Sequence, residues 1–221
     1  MQLGEATLYP VDGQLIIRSV FYFYGDSATS ELADQVARDT AAHWNEPQAI
    51  VLIKKKEYAV RFDIEGICEP GLAPEKVWYN DNPRLNFFRI EEYVVGNISF
   101  VDGLGCNTGY LKIDNLLQTS TTMAHEYGHT LGLHHPPQLD IRGDLEASIM
   151  YPRGTICDPR LQYNIAAAAG EDGGTLDPRH RKVTANDIQN LRLHKLDFNA
   201  RGVALIGAFS SIYHAKQLPG F

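Results

Sequence analysis

His125, His129 and His135 lie together with Glu126 in one short segment near the middle of the chain, where residues 125 to 135 read HEYGHTLGLHH. On an α-helix, residues four positions apart lie about one turn apart on nearly the same face. His125 and His129 can therefore direct their imidazoles at one metal ion. Glu126 is rotated by roughly 100° from His125, so its carboxylate lies beside such an ion and can take a proton from water. The spacing predicts two metal ligands and a general base on one helix.

His135 can reach the same ion only if the helix ends before it, because on an unbroken helix it would lie roughly 15 Å along the axis from His125. Gly132 is suited to end the helix, since glycine adopts a positive φ without a Cβ penalty. Pro136 then prevents the helix from resuming. We predict that His125, His129 and His135 bind a metal ion, and that three neutral imidazoles with an open fourth position select Zn²⁺.

The eleven residues fit the pattern H-E-x-x-H-x-x-G-x-x-H, and the chain thereby resembles the metzincin zinc peptidases. The segment Ser148–Pro152, SIMYP, resembles the methionine turn that lies beneath the metal in that family. Its Met-Tyr-Pro triplet and Gly128 are most similar to the matrixin group, and residues 183–188, VTANDI, are similar to the start of the matrixin C-terminal helix.

The resemblance implies roles for single residues. His135, and not the adjacent His134, is expected to be the third ligand, although His134 remains an alternative. Met150 is expected to be a packed base below the metal and not a ligand, against the alternative of an ordinary core methionine. Tyr151 is expected to form wall or core, with an acid role as the alternative, and Cys106 as an inhibitory zinc ligand is a further alternative.

The resemblance also implies the fold and the reaction. The fold class is α/β (α+β), a two-lobed single domain over residues 1–221, with an N-terminal lobe to about 135 and a loop-rich C-terminal lobe from about 136. The implied function is a zinc-dependent endopeptidase, in which Glu126 assists the attack of zinc-bound water. A protein or peptide substrate would bind in extended form along an edge strand, within Ile98 to Cys106 or, alternatively, Tyr110 to Ile113.

The chain departs from the matrixin pattern at two points and from the astacin and serralysin pattern at a third. Fifteen positions separate His135 from Met150, which makes residues 136–147 an insertion that can form a loop over the cleft. Pro136 stands where serine is usual after the third ligand. Pro152 replaces the tyrosine that astacins and serralysins place two residues after the methionine, so that extra transition-state contact is not expected.

Several elements must position these residues. The apolar run at residues 14–24, QLIIRSVFYFY, predicts a buried central strand. Shorter runs predict strands at residues 49–53, 57–64, 85–90, 97–101 and 110–113. Helical periodicity predicts helices at residues 27–44, about 120–133 and 185 to about 194, the last with Thr184 as N-cap. Residues 170–174, GEDGG, are the most flexible-looking stretch.

Composition excludes some functions and leaves others open. The chain has 221 residues and a formal net charge of -7, which does not favour nucleic acid as a partner, and no apolar run is long enough to span a membrane. Residues 1–20 lack a basic signal-like start, so we expect cytoplasmic synthesis, export by a non-classical route, or removal of a leader. Localisation and oligomeric state stay undetermined. The alternative functions are a non-proteolytic or self-processing zinc-bearing component of a secretion or injection assembly, or a delivered protease toxin.

Overall fold

The computed structural model describes residues 4–117, 121–163 and 175–219. The strands are β1 Glu5–Tyr9, β2 Gln14–Tyr24, β3 Ile50–Ile53, β4 Lys56–Cys68, β5 Leu85–Glu91, β6 Phe100–Val101, β7 Thr108–Lys112, β8 Ala147–Ser148, β9 Arg181–Lys182 and β10 Val203–Leu205. The helices are α1 Ser30–Asn45, α2 Pro74–Trp78, α3 Ile113–Leu117, α4 Thr121–Thr130 and α5 Ala185–Asn190, and short 3₁₀ turns cover 95–97, 159–161, 178–180 and 193–195. Ser120 and the glycine-rich stretch at 170–174 lie outside the described residues.

One mixed, curled sheet organises the molecule, in agreement with the predicted α+β class. The long strand β2 is central: β4 lies parallel to it along one edge. Its other edge is shared, because residues 14–18 pair with β1 and residues 20–24 pair with β5. Beyond β5 come parallel β7 and then antiparallel β6, while β8 and β9 form a separate small parallel pair. The predicted buried strand at residues 14–24 is confirmed.

The main core lies between one face of this sheet and helices α1 and α4. Phe21 and Phe88 from the sheet are buried together with Leu32 of α1 and Met123 of α4. This burial is explained by the alternation of apolar side chains along β2 and their helical periodicity in α1. A smaller cluster around Tyr24 on the opposite face covers the carboxyl half of β2 and β5.

The second half of the chain contains less regular structure and returns to the sheet at its end. β10 pairs antiparallel with β1, and the backbone of Ala208 bridges to Cys106, which lies just before β7. β1 and β10, and the short helices α2 and α3, were not predicted from the sequence. None of the helices in the described part of the chain has the length and apolar character needed to cross a membrane.

Two helices end earlier than predicted. α4 ends at Thr130 and not at Leu133, because the backbone at Gly132 turns to φ +96°. α5 ends at Asn190 and not near His194, because Arg192 adopts a left-handed conformation with φ 51°. The predicted N-cap is confirmed, since the Thr184 hydroxyl accepts the Asp187 backbone N–H and the Asp187 carboxylate accepts the Thr184 N–H.

Candidate metal centre

Helix α4 is fixed against the core by polar contacts as well as apolar packing. The indole Nε1 of Trp44 in α1 donates to the carbonyl oxygen of Ala124 at 3.1 Å. The hydroxyls of Tyr127 and Ser19, on β2, are hydrogen-bonded at 2.8 Å, and the Tyr127 ring packs edge-on against Phe21. The face of α4 that carries Met123 and Tyr127 is thus held rigidly, and the orientation of its other residues is set.

The C-terminus of α4 forms a Schellman motif. The N–H of Gly132 donates to the carbonyl of His129, and the N–H of Leu133 donates to that of Gly128, each at 2.9 Å. This geometry requires the positive φ of Gly132. The Leu133 carbonyl is thereby directed at the His129 ring, whose Nδ1 lies 2.7 Å away. The turn that was predicted from glycine is present, and it also orients a histidine.

The imidazoles of His125, His129 and His135 converge. The Nε2 atom of His135 lies 3.1 Å from that of His125 and 3.0 Å from that of His129, and the three form a group that could hold a metal ion. His125 is buried, His129 half-buried and His135 exposed. The adjacent His134 is exposed and is not part of the group, so the chain reversal at Gly132 selects His135.

Backbone carbonyls set the tautomers of two of these rings. Nδ1 of His125 lies 2.7 Å from the Ile149 carbonyl oxygen, and Nδ1 of His129 contacts Leu133 in the same way. A carbonyl only accepts, so each Nδ1 carries the proton and each Nε2 presents a lone pair to the group. This is the arrangement in which histidines bind metals, with the distal nitrogen fixed by a second contact.

The three imidazoles are held in the neutral form. Burial lowers the pKa of His125 well below its usual value, with a further contribution from the positive charge of Arg181. Burial also lowers the pKa of His129 and, with the charge of His129, that of His135. A metal ligand must be unprotonated, so the site is prepared to bind a cation near neutral pH.

The three nitrogens lie within 4.8 Å of one another, close enough to be candidate ligands of a single metal ion. Nitrogens bound at about 2.0–2.1 Å in a tetrahedral arrangement lie roughly 3.3 Å apart, and the observed separations from His135 differ from this by a few tenths of an ångström. His125 and His129 each direct an Nε2 lone pair toward Nε2 of His135, and a cation bound there could be shared by the three nitrogens. The donor set therefore fits a metal ion.

Glu126 lies on the same helix with its side chain buried. Its carboxylate accepts the backbone N–H of Val101 on β6. Burial raises the pKa of Glu126 to about 8, while the positive charge of Arg181 and the Val101 N–H act to lower it. A divalent cation held by the adjacent imidazoles would favour the carboxylate form further.

Met150 packs directly beneath α4. It is 2% exposed, and its Sδ atom lies so close to the backbone of Gly128 that a Cβ at that position would be 2.3 Å away. Ile149, one residue earlier, supplies the carbonyl that accepts from His125. Residues 149 and 150 thus support the site from below, one by a hydrogen bond and one by packing.

An edge strand borders the site. In the described part of the chain β6 pairs only with β7, and its Val101 contacts Glu126. In the following loop, the N–H of Gly105 donates to the His129 carbonyl at 2.7 Å. Of the two predicted rim segments, the first therefore contains the strand at the site, whereas Tyr110 lies on the inner strand β7.

The structure also places residues to which sequence reasoning assigned other roles or none. Tyr151 is half-buried and its carbonyl accepts from Arg181. Cys106 is not part of the histidine group and is near Ser210. Arg181 was not predicted, because no sequence pattern indicates that a single arginine in a polar segment is buried. The hydrogen bonds between the histidines and backbone carbonyls were also not predicted, because no sequence motif indicates them.

Comparisons with known proteins do not assign this site. No protein family model matches the chain, and no curated protein sequence matches it.

Proposed function

We propose that the protein is a zinc-dependent endopeptidase of metzincin type, with His125, His129 and His135 as zinc ligands and Glu126 as general base. The observation that supports this most directly is the convergence of the three Nε2 atoms next to a buried carboxylate on the same helix. Imidazole nitrogens suit zinc, and three protein ligands leave a position for water or substrate.

Bound zinc would supply Lewis acidity, polarising a peptide carbonyl and making water a stronger acid. The side chains supply the remaining functions. Glu126 accepts a proton from the attacking water and returns it to the departing amine. Its burial and the Val101 N–H hold the carboxylate in one orientation for both transfers.

The edge strand β6 offers a binding mode for the substrate. An extended peptide can add to a free strand edge through main-chain hydrogen bonds, and β6 adjoins Glu126. A peptide bound there lies along the histidine group, so a bond in the main chain, and not at its end, is presented for cleavage. This supports an endopeptidase over a protein that stores or senses metal.

The test is cleavage of casein and of a peptide pool by zinc-loaded protein, with metal content measured for each variant. We expect wild-type cleavage to stop on chelation. Glu126→Gln should bind zinc but cleave about 10²- to 10⁴-fold more slowly. His135→Ala should lose zinc, while the matched control His134→Ala should keep both zinc and activity. Full activity in zinc-replete Glu126→Gln would refute the assigned role.

A further inference from the structure

Arg181 is a buried arginine close to the candidate centre. It lies on β9, is 5% exposed, and its Nη2 donates to the Thr121 hydroxyl at 3.3 Å. Its Nη1 donates to the carbonyl of Tyr151 at 3.2 Å. Thr121 is one turn before His125 on α4 and Tyr151 follows Met150, so the guanidinium lies between the helix and the turn that build the site.

This guanidinium has no carboxylate in direct contact among the described residues. Both of its hydrogen bonds go to uncharged oxygens, and within the same part of the chain the buried Nε has no hydrogen-bond partner. Among the described residues no carboxylate lies within 4.0 Å of it, and the carboxyl groups whose charge acts on it most are Glu126 and Asp177. Asp177 is already bound by the side chain of Arg179, so it does not serve as the counter-ion.

Arginine stays protonated in such a place. Burial lowers the pKa of Arg181 to about 10, against the opposing charges of Glu126 and Asp177, so the group is a cation at neutral pH. A buried charge without a partner is unfavourable, and such groups often lie at binding sites where a ligand completes the pair. The planar fork of five N–H donors matches a carboxylate.

We propose that Arg181 binds a carboxylate of the substrate, so that the enzyme prefers to cut next to an acidic residue. The inference rests on the proposed function and adds the substrate class to it. The local charges favour this ligand: with a divalent metal bound, the positive charge of the metal and of Arg181 would exceed the one negative charge that Glu126 can carry. The carboxylate can belong to an Asp or Glu side chain or to a peptide C-terminus, which are chemically alike.

The experiment uses capped alanine-based octapeptides that carry one Glu at each successive position, a matched set with Gln, and an all-alanine peptide with a free C-terminal carboxylate. Mass spectrometry locates each cut. We expect the Glu peptide to be cleaved about 10- to 100-fold faster than its Gln partner at one position relative to the cut, as expected for a hydrogen bond to a charged group. A preference for the free terminus would identify that source instead.

Three variants separate recognition from structural support. Arg181→Met should abolish the Glu-over-Gln preference and Arg181→Lys should keep part of it. Arg38→Gln, at an exposed arginine on α1, is the control and should not change the preference. The ratio of the two rates within one variant is independent of the fraction folded. Loss of overall activity therefore does not obscure the result.

Two results overturn the proposal: equal rates for every Glu and Gln pair in the wild type, or a preference that persists in Arg181→Met. If nothing is cleaved, the proposed function fails separately. Calorimetric binding of the same peptides to zinc-loaded Glu126→Gln, with and without Arg181→Met, then decides the question of the carboxylate. Direct binding of a carboxylate to zinc would remain in the Arg181→Met variant. The contribution of Arg181 is therefore the difference in peptide affinity between the proteins with and without Arg181→Met.

Discussion

Replacing Gly132 with alanine tests whether the turn after α4 controls metal binding. The residue has φ +96°, and no atom lies within 4 Å of the position that a methyl group would occupy, so the substitution introduces backbone strain without a clash. An L-residue in the left-handed region costs about 1–2 kcal/mol. The turn orients His129 through Leu133 and places His135, so the strain must be overcome whenever the three imidazoles bind one ion.

The backbone strain predicts a change in the affinity for zinc. In the metal-free protein the turn can relax and displace His135, whereas zinc binding restores the strained conformation. At 1.4 kcal/mol for each factor of ten, the affinity for zinc should fall about 5- to 30-fold. Competition with a chromophoric chelator at constant pH measures this change, and urea denaturation of the metal-free protein measures any loss of stability.

Gly143→Ala is the matched control. Gly143 has φ +93° and is equally free of neighbours, but it lies in the segment after His135 and away from the ligands. The Gly143→Ala variant should lose about as much unfolding free energy as Gly132→Ala, and its zinc affinity should equal that of the wild type. Equal zinc affinity for wild type and Gly132→Ala, or an equal loss in both variants, would refute the reasoning.

Three more outcomes follow from the packing, the charges and the metal. Gly128→Ala should lower the unfolding free energy by about 1–2 kcal/mol, since displacing Met150 outweighs the gain in helix propensity. In urea denaturation, the double variant Gly128→Ala/Met150→Ala should lose less unfolding free energy than the sum of the losses in the two single variants. Burial raises the pKa of Asp177, but hydrogen bonds from Arg179 outweigh this and hold it below the usual value. Asp177 therefore stabilises the fold above about pH 4 and loses this effect as the pH falls, so Asp177→Asn should destabilise at pH 7 and progressively less in acid. Chelation should lower the melting temperature by about 5–10 °C relative to protein in free zinc at 100 times the Kd, by mass action, as calorimetry would show.

Local signals in the sequence were sufficient where chemistry depends on near neighbours. The four-residue spacing of His125 and His129 predicted that they share a helical face, and Gly132 predicted the reversal that brings His135 to them. The apolar run at residues 14–24 predicted the central strand. Each of these features depends on backbone periodicity or on the conformational freedom of one residue, and both can be inferred from the sequence alone.

Some short strands and helices were not predicted, because they form through contacts with neighbouring segments of the fold and have no distinctive local sequence pattern. β10 has three residues and exists because its register matches β1. Helix ends were also misplaced: α5 stops early at a left-handed Arg192, a conformation that arginine does not favour by itself.

The sequence alone determined which residues could form the centre, because motif spacing sets the directions of side chains within a few turns of chain. Only the tertiary structure decided how they are supported: the Ile149 carbonyl accepts from His125, Met150 packs under Gly128, Val101 donates to Glu126, and Arg181 is buried close to the group. These partners come from segments up to about sixty residues away along the chain. Their meeting depends on the free energy of the whole packed core, which no local pattern encodes.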